Sequence, residues 1–350
     1  MENSFRMPAE WESHSAIWLA WPHDTITFGS LNEQDKKLDE GRLVRVESKY
    51  MEMIKAIYET EKVKLLVLNQ KMKDKVEKLL QNAGIDTAKI VFIITEYADV
   101  WIRDYGPTFV KNVAGEIAGV KWKYFSYGGK FPTLIKDNEV FLNLSHGVDW
   151  DMFQADIFME GGAIEVNGKG VVLTTEECLL NSNRNPELNK EQTETHLKEN
   201  LGASKVIWLK KGLENDHTDG HIDDIAKFVD ANTILCAFED DKLNPNFASL
   251  NENYQILQNN TDQDGQPFNL VKLPMPHMNY TDGMQAPVSY ANFYIGNKTV
   301  LVPVYQDPND EKALEIIKSH FPDRKIVGID CRDIIYGGGA IHCITQQEPI

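Results

Sequence analysis

Four short segments of the sequence combine residues capable of nucleophilic or acid–base chemistry with glycines or alternating apolar residues. They are "VWIRDYGPTFV" with Asp104, "FMEGGAIEV" with Glu160, "DGHIDDIAKF" with His221 and Asp223, and "GGGAIHCIT" with Cys343. A thiol can attack carbon, an imidazole can move protons, and carboxylates can hold a cation. One cysteine and one histidine are a poor ligand set for zinc, so we predict that no metal is bound.

A planar guanidinium cation fits this set of side chains. Its N–H donors form a fixed fork that carboxylates accept in pairs, so Asp104 and Asp223 could hold it flat from opposite sides. Cys343 would then attack the central carbon, and His221, oriented by Glu160, would protonate the departing nitrogen and later activate water. The glycines 337–339, with Gly338 at their centre, would allow backbone to pack closely around the nucleophile and substrate.

The elements that must position these residues recur along the chain. Four stretches read as hairpins with Gly- or Asn-containing turns, and amphipathic helices lead into further apolar strands. The hairpins span 105–122, 161–175, 221–238 and 289–305, and the helix–strand pairs are 71–82 with 89–94, 186–200 with 205–209, 244–258 with 269–273 and 310–319 with 325–329. Anchors near the hairpin starts, namely Asp104, Glu160, His221, Tyr290 and Cys343, recur about every sixty residues, which predicts a pseudo-symmetric array.

The array predicts one α/β domain over 1–350 in which five units surround an axial pocket. We expect the last unit to stop after a single strand, 341–345, that carries Cys343. The strand "SAIWLAW" (15–21) could supply its partner and close the ring, which would remove exposed sheet edges. A doubly wound parallel sheet is the alternative, but antiparallel hairpin turns favour the ring.

Composition limits the function classes. A net charge of −17 argues against nucleic acid as a partner, and no apolar run is long enough to span a membrane. Four widely spaced cysteines and a start without a signal-peptide pattern predict a cytoplasmic protein. An acidic protein suits a small cationic substrate. The oligomeric state is open, with a homo-oligomer as one alternative.

The sequence resembles the family of agmatine deiminases and bacterial protein-arginine deiminases. The resemblance runs from near residue 7 to the C-terminus and rests on "MPAEWESHSAIWLAWP", "WIRDYGPTFV", "EGGAIEVNGKGVVLTTEECLLNSNRNP", "GHIDD" and "GGGAIHCITQQEP". It implies the pentein fold, a five-fold α/β propeller of ββαβ-type units, and hydrolysis of a guanidinium without a cofactor. It also implies that Cys343 is the nucleophile, His221 the acid/base with Glu160 as its partner, Asp104 and Asp223 the guanidinium ligands, and Trp101 an aromatic wall.

Two positions depart from the family pattern. The segment before the histidine is "NDHTDGH" where agmatine deiminases typically resemble "EDTNGH", and Ala340 stands where Asn usually follows the glycines. The first departure concerns recognition of the far end of the substrate. Acidic candidates for binding an ammonium there are Glu10, Glu12, Asp216 and Asp219, and each of them could equally be a solvated carboxylate.

Agmatine is the predicted substrate, giving N-carbamoylputrescine and ammonia in polyamine metabolism. Free arginine would need cations for its carboxylate, and the motif segments offer no obvious one beyond Arg103. The alternatives are a deiminase of peptidyl-arginine or of another guanidine, an amidinotransferase and a non-catalytic guanidine-binding protein. A metal-dependent hydrolase using His221, Asp223 and Asp224 is a further alternative.

Overall fold

The computed structural model describes residues 5–28, 41–144 and 148–350. These residues form five small sheets, with strand orders β16-β1-β2-β3, β4-β5-β6, β7-β8-β9, β10-β11-β12 and β13-β14-β15. The strands are β1 His14–Ala20, β2 Lys62–Val67, β3 Ile90–Ile94, β4 Thr108–Lys111, β5 Ile117–Lys123, β6 Asp151–Phe158, β7 Glu165–Val166, β8 Val171–Thr175, β9 Lys205–Leu209, β10 Ala226–Phe228, β11 Thr233–Phe238, β12 Asn269–Pro274, β13 Tyr294–Ile295, β14 Thr299–Val304, β15 Lys325–Asp330 and β16 Gln346–Pro349.

Each three-stranded sheet repeats one ββαβ plan. Its first two strands form an antiparallel hairpin, and its third strand pairs parallel with the second. The parallel pairing requires a crossover, which the intervening helical segment supplies. The four predicted hairpins and the repeat are therefore confirmed, and the doubly wound sheet is wrong.

Helices cover the outside of the sheets, and some begin and end at clear sequence signals. In α7, Asn189 and Gln192 form a reciprocal capping box, and Gly202 ends the helix in the left-handed region at φ 65°. The α-helices are α1 Arg42–Ile57, α2 Gln70–Asn82, α3 Ile102–Tyr105, α4 Ser126–Gly129, α5 Val140–Leu144, α6 Glu176–Leu179, α7 Lys190–Leu201, α8 Phe247–Gln258 and α9 Asp310–His320. No helix within the three described ranges is long and apolar enough to cross a bilayer.

The core lies between these helices and the sheets they cover. The apolar stripe of α1, which includes Val46, Met53 and Ile57, packs in the same buried cluster as Val63 and Leu65 of β2. Burial of a side chain of this size stabilises the fold by roughly 1.5–3 kcal/mol. Packing of this kind holds the helix against its sheet.

The two ends of the chain close the ring. Strand β1 pairs antiparallel with β16, so the strand near the N-terminus supplies the partner for the end of the chain. Strands β2 and β3 complete this four-stranded sheet. The expected strand 341–345 is wrong, because residues 341–344 form a turn and the strand begins at Gln346. Turns and short helices, rather than strands, therefore carry the anchor residues into the axial region.

Candidate active site

Cys343 lies in the last turn before β16, and its side chain is buried. Nδ2 of Asn292 donates a hydrogen bond to its Sγ at 3.2 Å, and Oδ2 of Asp223 lies 3.7 Å from the same sulfur. Burial raises the pKa of Cys343 well above its usual value, and the carboxyl groups of Asp223, Asp224 and Asp104 raise that pKa further. Burial and the neighbouring carboxyl groups therefore favour the thiol over the thiolate.

The glycine run packs against this thiol. A Cβ at Gly339 would lie 3.0 Å from Sγ of Cys343 and 2.8 Å from Cζ3 of Trp101, so only glycine lets the indole approach the sulfur. Gly338 has φ +102°, and a Cβ there would lie 2.6 Å from Cδ2 of His217. These contacts place Trp101 beside the nucleophile and His217 over the glycine run.

His221 is buried between two carboxylates. Its Nδ1 lies 3.8 Å from Oδ1 of Asp104 and its Nε2 lies 3.7 Å from Oε2 of Glu160, distances of ion pairs rather than hydrogen bonds. Burial alone would lower the pKa of His221, but Asp104, the Cys178 thiol and Glu160 outweigh burial and raise it well above the usual value. His221 is therefore a cation at neutral pH.

The spacing of two residues between His221 and Asp223 would place both side chains on one face of a strand, but the hairpin predicted over 221–238 does not begin with a strand there. Residues Ile222–Asp224 form a 3₁₀ turn with His221 at its start, and β10 begins only at Ala226. The two side chains still border one space, because a Cβ at Gly162 would lie 2.5 Å from Nδ1 of His221 and 3.2 Å from Oδ2 of Asp223.

Asp104 borders the same space. Its Oδ1 lies 3.0 Å from the position of a Cβ at Gly162 and accepts a hydrogen bond from the Gly162 N–H at 3.0 Å. Its Oδ2 accepts a hydrogen bond from the Tyr127 hydroxyl at 2.8 Å. Burial raises the pKa of Asp104 to about 6, against the attraction of His221. The carboxylates of Asp104 and Asp223 thus flank one buried space with imidazole on its wall.

Arg184 is a site residue that the sequence reasoning did not single out. Its Nε donates to both carboxylate oxygens of Glu160, at 2.9 and 3.1 Å, and its two terminal nitrogens bond Asp219 and the Thr218 carbonyl. Burial alone would raise the pKa of Glu160, but the charge of Arg184 and the contact with His221 outweigh it and lower that pKa. The buried guanidinium of Arg184 therefore keeps Glu160 ionised behind His221.

Asn292 is the second residue that the sequence reasoning missed. The fourth repeat was anchored on Tyr290, whose hydroxyl bonds Asp310 instead of reaching the pocket. Asn292, two residues later, contacts Cys343 through its amide and receives the backbone N–H of His342 at its side-chain oxygen, 2.9 Å away. The repeat could have indicated Asn292, because this residue lies only two positions after Tyr290, the anchor of the fourth repeat.

The acidic loop before His221 is organised around Asp216. Its carboxylate is half-buried and accepts hydrogen bonds from the hydroxyl and N–H of Thr218 and from the N–H groups of Gly220 and His221. Asp219 pairs with Arg184 and with Lys130. Asp216 therefore shapes the approach to His221, and its contact with a substrate stays a prediction.

Glu10 and Glu12 are not brought to the same space. Glu12 forms an ion pair with Arg6. Glu10 is buried, and its oxygens accept hydrogen bonds from Lys227 at 2.6 Å, from Nε2 of His342 at 2.9 Å and from the N–H of Ile295 at 2.7 Å. The expected role of Glu10 at the far end of a substrate is thus not supported by its position behind His342.

One cluster within the described ranges has metal-ligand geometry. Single donor atoms of Glu160, Cys178 and His221 lie within 4.8 Å of one another, and all three side chains are buried. The guanidinium of Arg184 already bonds both oxygens of Glu160. The carboxylate that a metal would need is therefore already paired with a positive charge. Asp223 and Asp224, which the alternative of a metal-dependent hydrolase would use together with His221, do not belong to this cluster.

Comparisons with known proteins agree with this geometry. Residues 6–349 match the sequence model of the Porphyromonas-type peptidyl-arginine deiminase family. A Legionella pneumophila protein provisionally named agmatine deiminase is 38% identical over 99% of this chain and 95% of its own length. The agmatine deiminase of Enterococcus faecalis superposes with a TM-score of 0.88 at 34% identity, over 99% of this chain and 96% of that one.

A substrate-bound agmatine deiminase of C. jejuni superposes with a TM-score of 0.85 at 30% identity, over 99% of this chain and 96% of that one. A Microseira wollei amidinotransferase, 12% identical with a TM-score of 0.52, covers 99% of this chain and shares the fold alone. The fold is the five-fold pentein α/β propeller, and the chain is a hydrolase of carbon–nitrogen bonds in guanidine-type groups. It belongs to the Porphyromonas-type peptidyl-arginine deiminase family.

Proposed function

We propose that this enzyme hydrolyses the guanidinium of agmatine to N-carbamoylputrescine and ammonia through a covalent thiouronium on Cys343. The single observation that carries the proposal is the convergence of Asp104, Asp223 and His221 on Gly162. One atom of each lies within 3.2 Å of the place where a Cβ would stand on that glycine, and Cys343 lies next to Asp223. Two carboxylates beside a thiol are suited to hold a flat cation with its carbon facing sulfur.

Substrate binding activates the nucleophile in this proposal. A guanidinium between Asp104 and Asp223 neutralises the negative charges that keep the Cys343 thiol protonated. The thiol then loses its proton to solvent, and Sγ forms a bond to the guanidinium carbon. The indole of Trp101, packed against Gly339, limits access of water from that side.

Ammonia leaves next. The His221 cation gives its proton to one nitrogen of the tetrahedral adduct, the carbon–nitrogen bond breaks, and a positively charged thiouronium remains. Glu160 and Asp104 stabilise His221 as a cation, so His221 is ready to act as the acid.

Hydrolysis uses the same histidine in its neutral form. His221 takes a proton from water, the oxygen adds to the carbon, and the carbon–sulfur bond breaks to release a urea and the Cys343 thiolate. The proton on the added oxygen passes to solvent. Each step uses only side chains of this chain, a substrate guanidinium and water, so the proposal includes no cofactor.

The charges near the site support agmatine over free arginine. Arg184 is committed to Glu160 and Asp219, and Arg103 donates through Nε to the carbonyl of His342. Lys130 bonds Asp219 and the His217 carbonyl. None of these three cations is placed to hold a substrate carboxylate, whereas the half-buried Asp216 would favour an ammonium.

The test measures ammonia release from agmatine, free arginine and a blocked arginyl peptide, without added metal. We expect turnover of agmatine alone, and none from Cys343→Ala, which should still bind agmatine in calorimetry. Preference for the peptide would move the assignment to peptidyl-arginine, the substrate class in the name of the family. Loss of activity with a chelator would overturn the metal-free mechanism, and amidine transfer to an amine without ammonia would identify an amidinotransferase.

A further inference from the structure

A line of buried charged side chains extends from the pocket to the opposite side of the ring axis. Nδ1 of His342 lies 2.7 Å from Oδ2 of Asp223, and Nε2 of His342 lies 2.9 Å from Oε2 of Glu10. The ammonium of Lys227 donates to the same oxygen of Glu10 at 2.6 Å. All four residues are at most 5% exposed, and none of His342, Glu10 or Lys227 has a role in the reaction described above.

Carboxylates and nitrogen groups alternate along this line. Ionised carboxylates only accept hydrogen bonds, so each ring nitrogen of His342 faces an acceptor, Asp223 on one side and Glu10 on the other. Glu10 is fixed in turn by Lys227 and by the backbone N–H of Ile295. Glu165 lies 3.6 Å from Lys227 and completes the pairing of its charge.

We propose that His342 is a positioning residue that fixes the carboxylate of Asp223 for the guanidinium, with Glu10 and Lys227 holding His342 in place. The inference rests on the proposed function and names a further determinant of guanidinium binding. His342 occupies one lone pair of Oδ2, while Oδ1 of Asp223 is buried without a hydrogen-bond partner among the described residues.

That unpaired oxygen is the observation that points to a ligand. A buried carboxylate oxygen without a donor is costly, and a guanidinium would supply the missing N–H. Because Oδ2 is tied to His342, the carboxylate cannot rotate freely, and Oδ1 stays available in one orientation. Burial would raise the pKa of Asp223, but the hydrogen bond and charge of His342 outweigh it and lower that pKa.

The same contact bears on the nucleophile. Oδ2 of Asp223 lies 3.7 Å from Sγ of Cys343, and Nδ1 of His342 contacts that same oxygen. Negative charge drawn toward His342 repels the forming thiolate less. His342 thus acts on both partners of the reaction through one carboxylate, without touching the substrate.

The test uses two variants that each keep one of the two hydrogen bonds. The amide nitrogen of asparagine lies near the place of Nδ1, and that of glutamine lies near the place of Nε2. We expect His342→Asn, which can still donate to Asp223, to retain kcat/KM for agmatine within about tenfold. We expect His342→Gln, which can donate only to Glu10, to lose about a hundredfold, because Asp223 is no longer fixed.

Binding separates this role from a merely structural one. In the Cys343→Ala background, His342→Gln should raise the Kd for agmatine by more than tenfold while His342→Asn stays near the parent, at matched melting temperatures. Equal losses in both variants, or a loss in His342→Asn alone, would overturn the inference. So would a His342→Gln variant that binds and turns over like the parent.

Glu10→Gln provides a second test if the histidine variants fail to fold. It keeps the shape of the side chain but removes the charge beyond His342, so KM should rise by about tenfold with kcat changed less. An unchanged KM would contradict the role of the line of charges. If the unaltered enzyme releases no ammonia from any guanidine, the proposed function fails instead, independently of these variants.

Discussion

Oδ2 of Asp223 lies 3.7 Å from Sγ of Cys343, so the predicted guanidinium ligand and the predicted nucleophile share one region of negative potential. This arrangement opposes formation of a thiolate until a cation arrives. In the proposed reaction, the reactivity of the thiol therefore depends on the charge of the bound substrate.

Replacing Asp223 should change thiol reactivity and turnover in opposite directions. Asp223→Asn removes a negative charge beside Cys343, lowers the pKa of the thiol and should speed its alkylation by iodoacetamide at pH 8 by about tenfold per unit of pKa. The same variant should turn over agmatine at least about a hundredfold more slowly, because a guanidinium ligand is lost. Cys343→Ser corrects for the buried Cys178, Cys236 and Cys331. Alkylation that is unchanged or slower in Asp223→Asn would contradict the electrostatic account.

The acid side of the pH profile should report Asp104. Its pKa of about 6 in the free enzyme means that the carboxylate is ionised above that pH and protonated below it. Since only the carboxylate attracts a guanidinium, kcat/KM should fall as pH decreases through 6, with a limiting slope of one. A profile that is flat down to pH 5 would rule out this titration.

Tyr127→Phe identifies the titrating group. The Tyr127 hydroxyl donates to Oδ2 of Asp104 and stabilises the ionised form. Its removal should raise the pKa of Asp104 and move the acid limb of kcat/KM to higher pH, by about half a unit to one unit. An acid limb that does not move would assign the titration to a different group.

A methyl group at position 162 should fill the cation-binding space. In Gly162→Ala the Cβ would lie 2.5 Å from Nδ1 of His221 and 3.0 Å from Oδ1 of Asp104, so these side chains must shift from the positions that the proposed reaction uses. We expect activity to fall by more than about a hundredfold, measured as ammonia release. Gly328→Ala is the matched control, because its Cβ would meet only side-chain atoms of Val304 and Leu314, the nearest at 3.2 Å, far from the site. Equal activities in the two variants would refute the placement of the substrate.

Arg184 should matter for both stability and catalysis. Arg184→Met leaves the buried Glu160 without its cation, so we expect a loss of about 3–5 kcal/mol in the free energy of unfolding and a strong loss of turnover. Arg184→Lys should recover only part of either, since one ammonium cannot bond Glu160, Asp219 and the Thr218 carbonyl together as the guanidinium does.

Arg332→Met is the matched control for the stability measurement. Arg332 pairs with Asp330, but its side chain is 42% exposed, so its removal should cost less than about 1 kcal/mol in denaturant unfolding. A similar small cost for Arg184→Met would contradict the view that Arg184 keeps a buried carboxylate ionised.

The repeat could be recognised from the sequence because its signals are local. Turn residues, strand alternation and helix periodicity each depend on neighbours only a few positions apart. They located all four hairpins, the four helix–strand pairs and the pairing of the N-terminal strand with the last one. The anchors Asp104, Glu160, His221 and Cys343 followed from their positions in that repeat.

Local conformation at the anchors was less predictable. The hairpin predicted over 221–238 implied a strand from its first residue, and a strand was predicted at 341–345, whereas the chain forms a 3₁₀ turn at 222–224 and a tight turn at 341–344. The conformation of such short segments depends more on the residues that pack around them than on their own alternation of apolar and polar residues. His221 and Asp223 nevertheless lie close together, as predicted, because the 3₁₀ turn also directs both side chains toward Gly162.

The sequence by itself determined which residue types were available and in which repeat each one lies. Tertiary structure alone decided their partners: Arg184 on Glu160, Asn292 on Cys343, and Glu10 behind His342 instead of at a substrate. The physical reason is that these contacts join residues that lie 24 to 332 positions apart along the chain, so the packing of the folded chain sets their distances. A buried charge takes whichever partner the fold brings within hydrogen-bond reach, which spacing along the chain does not encode.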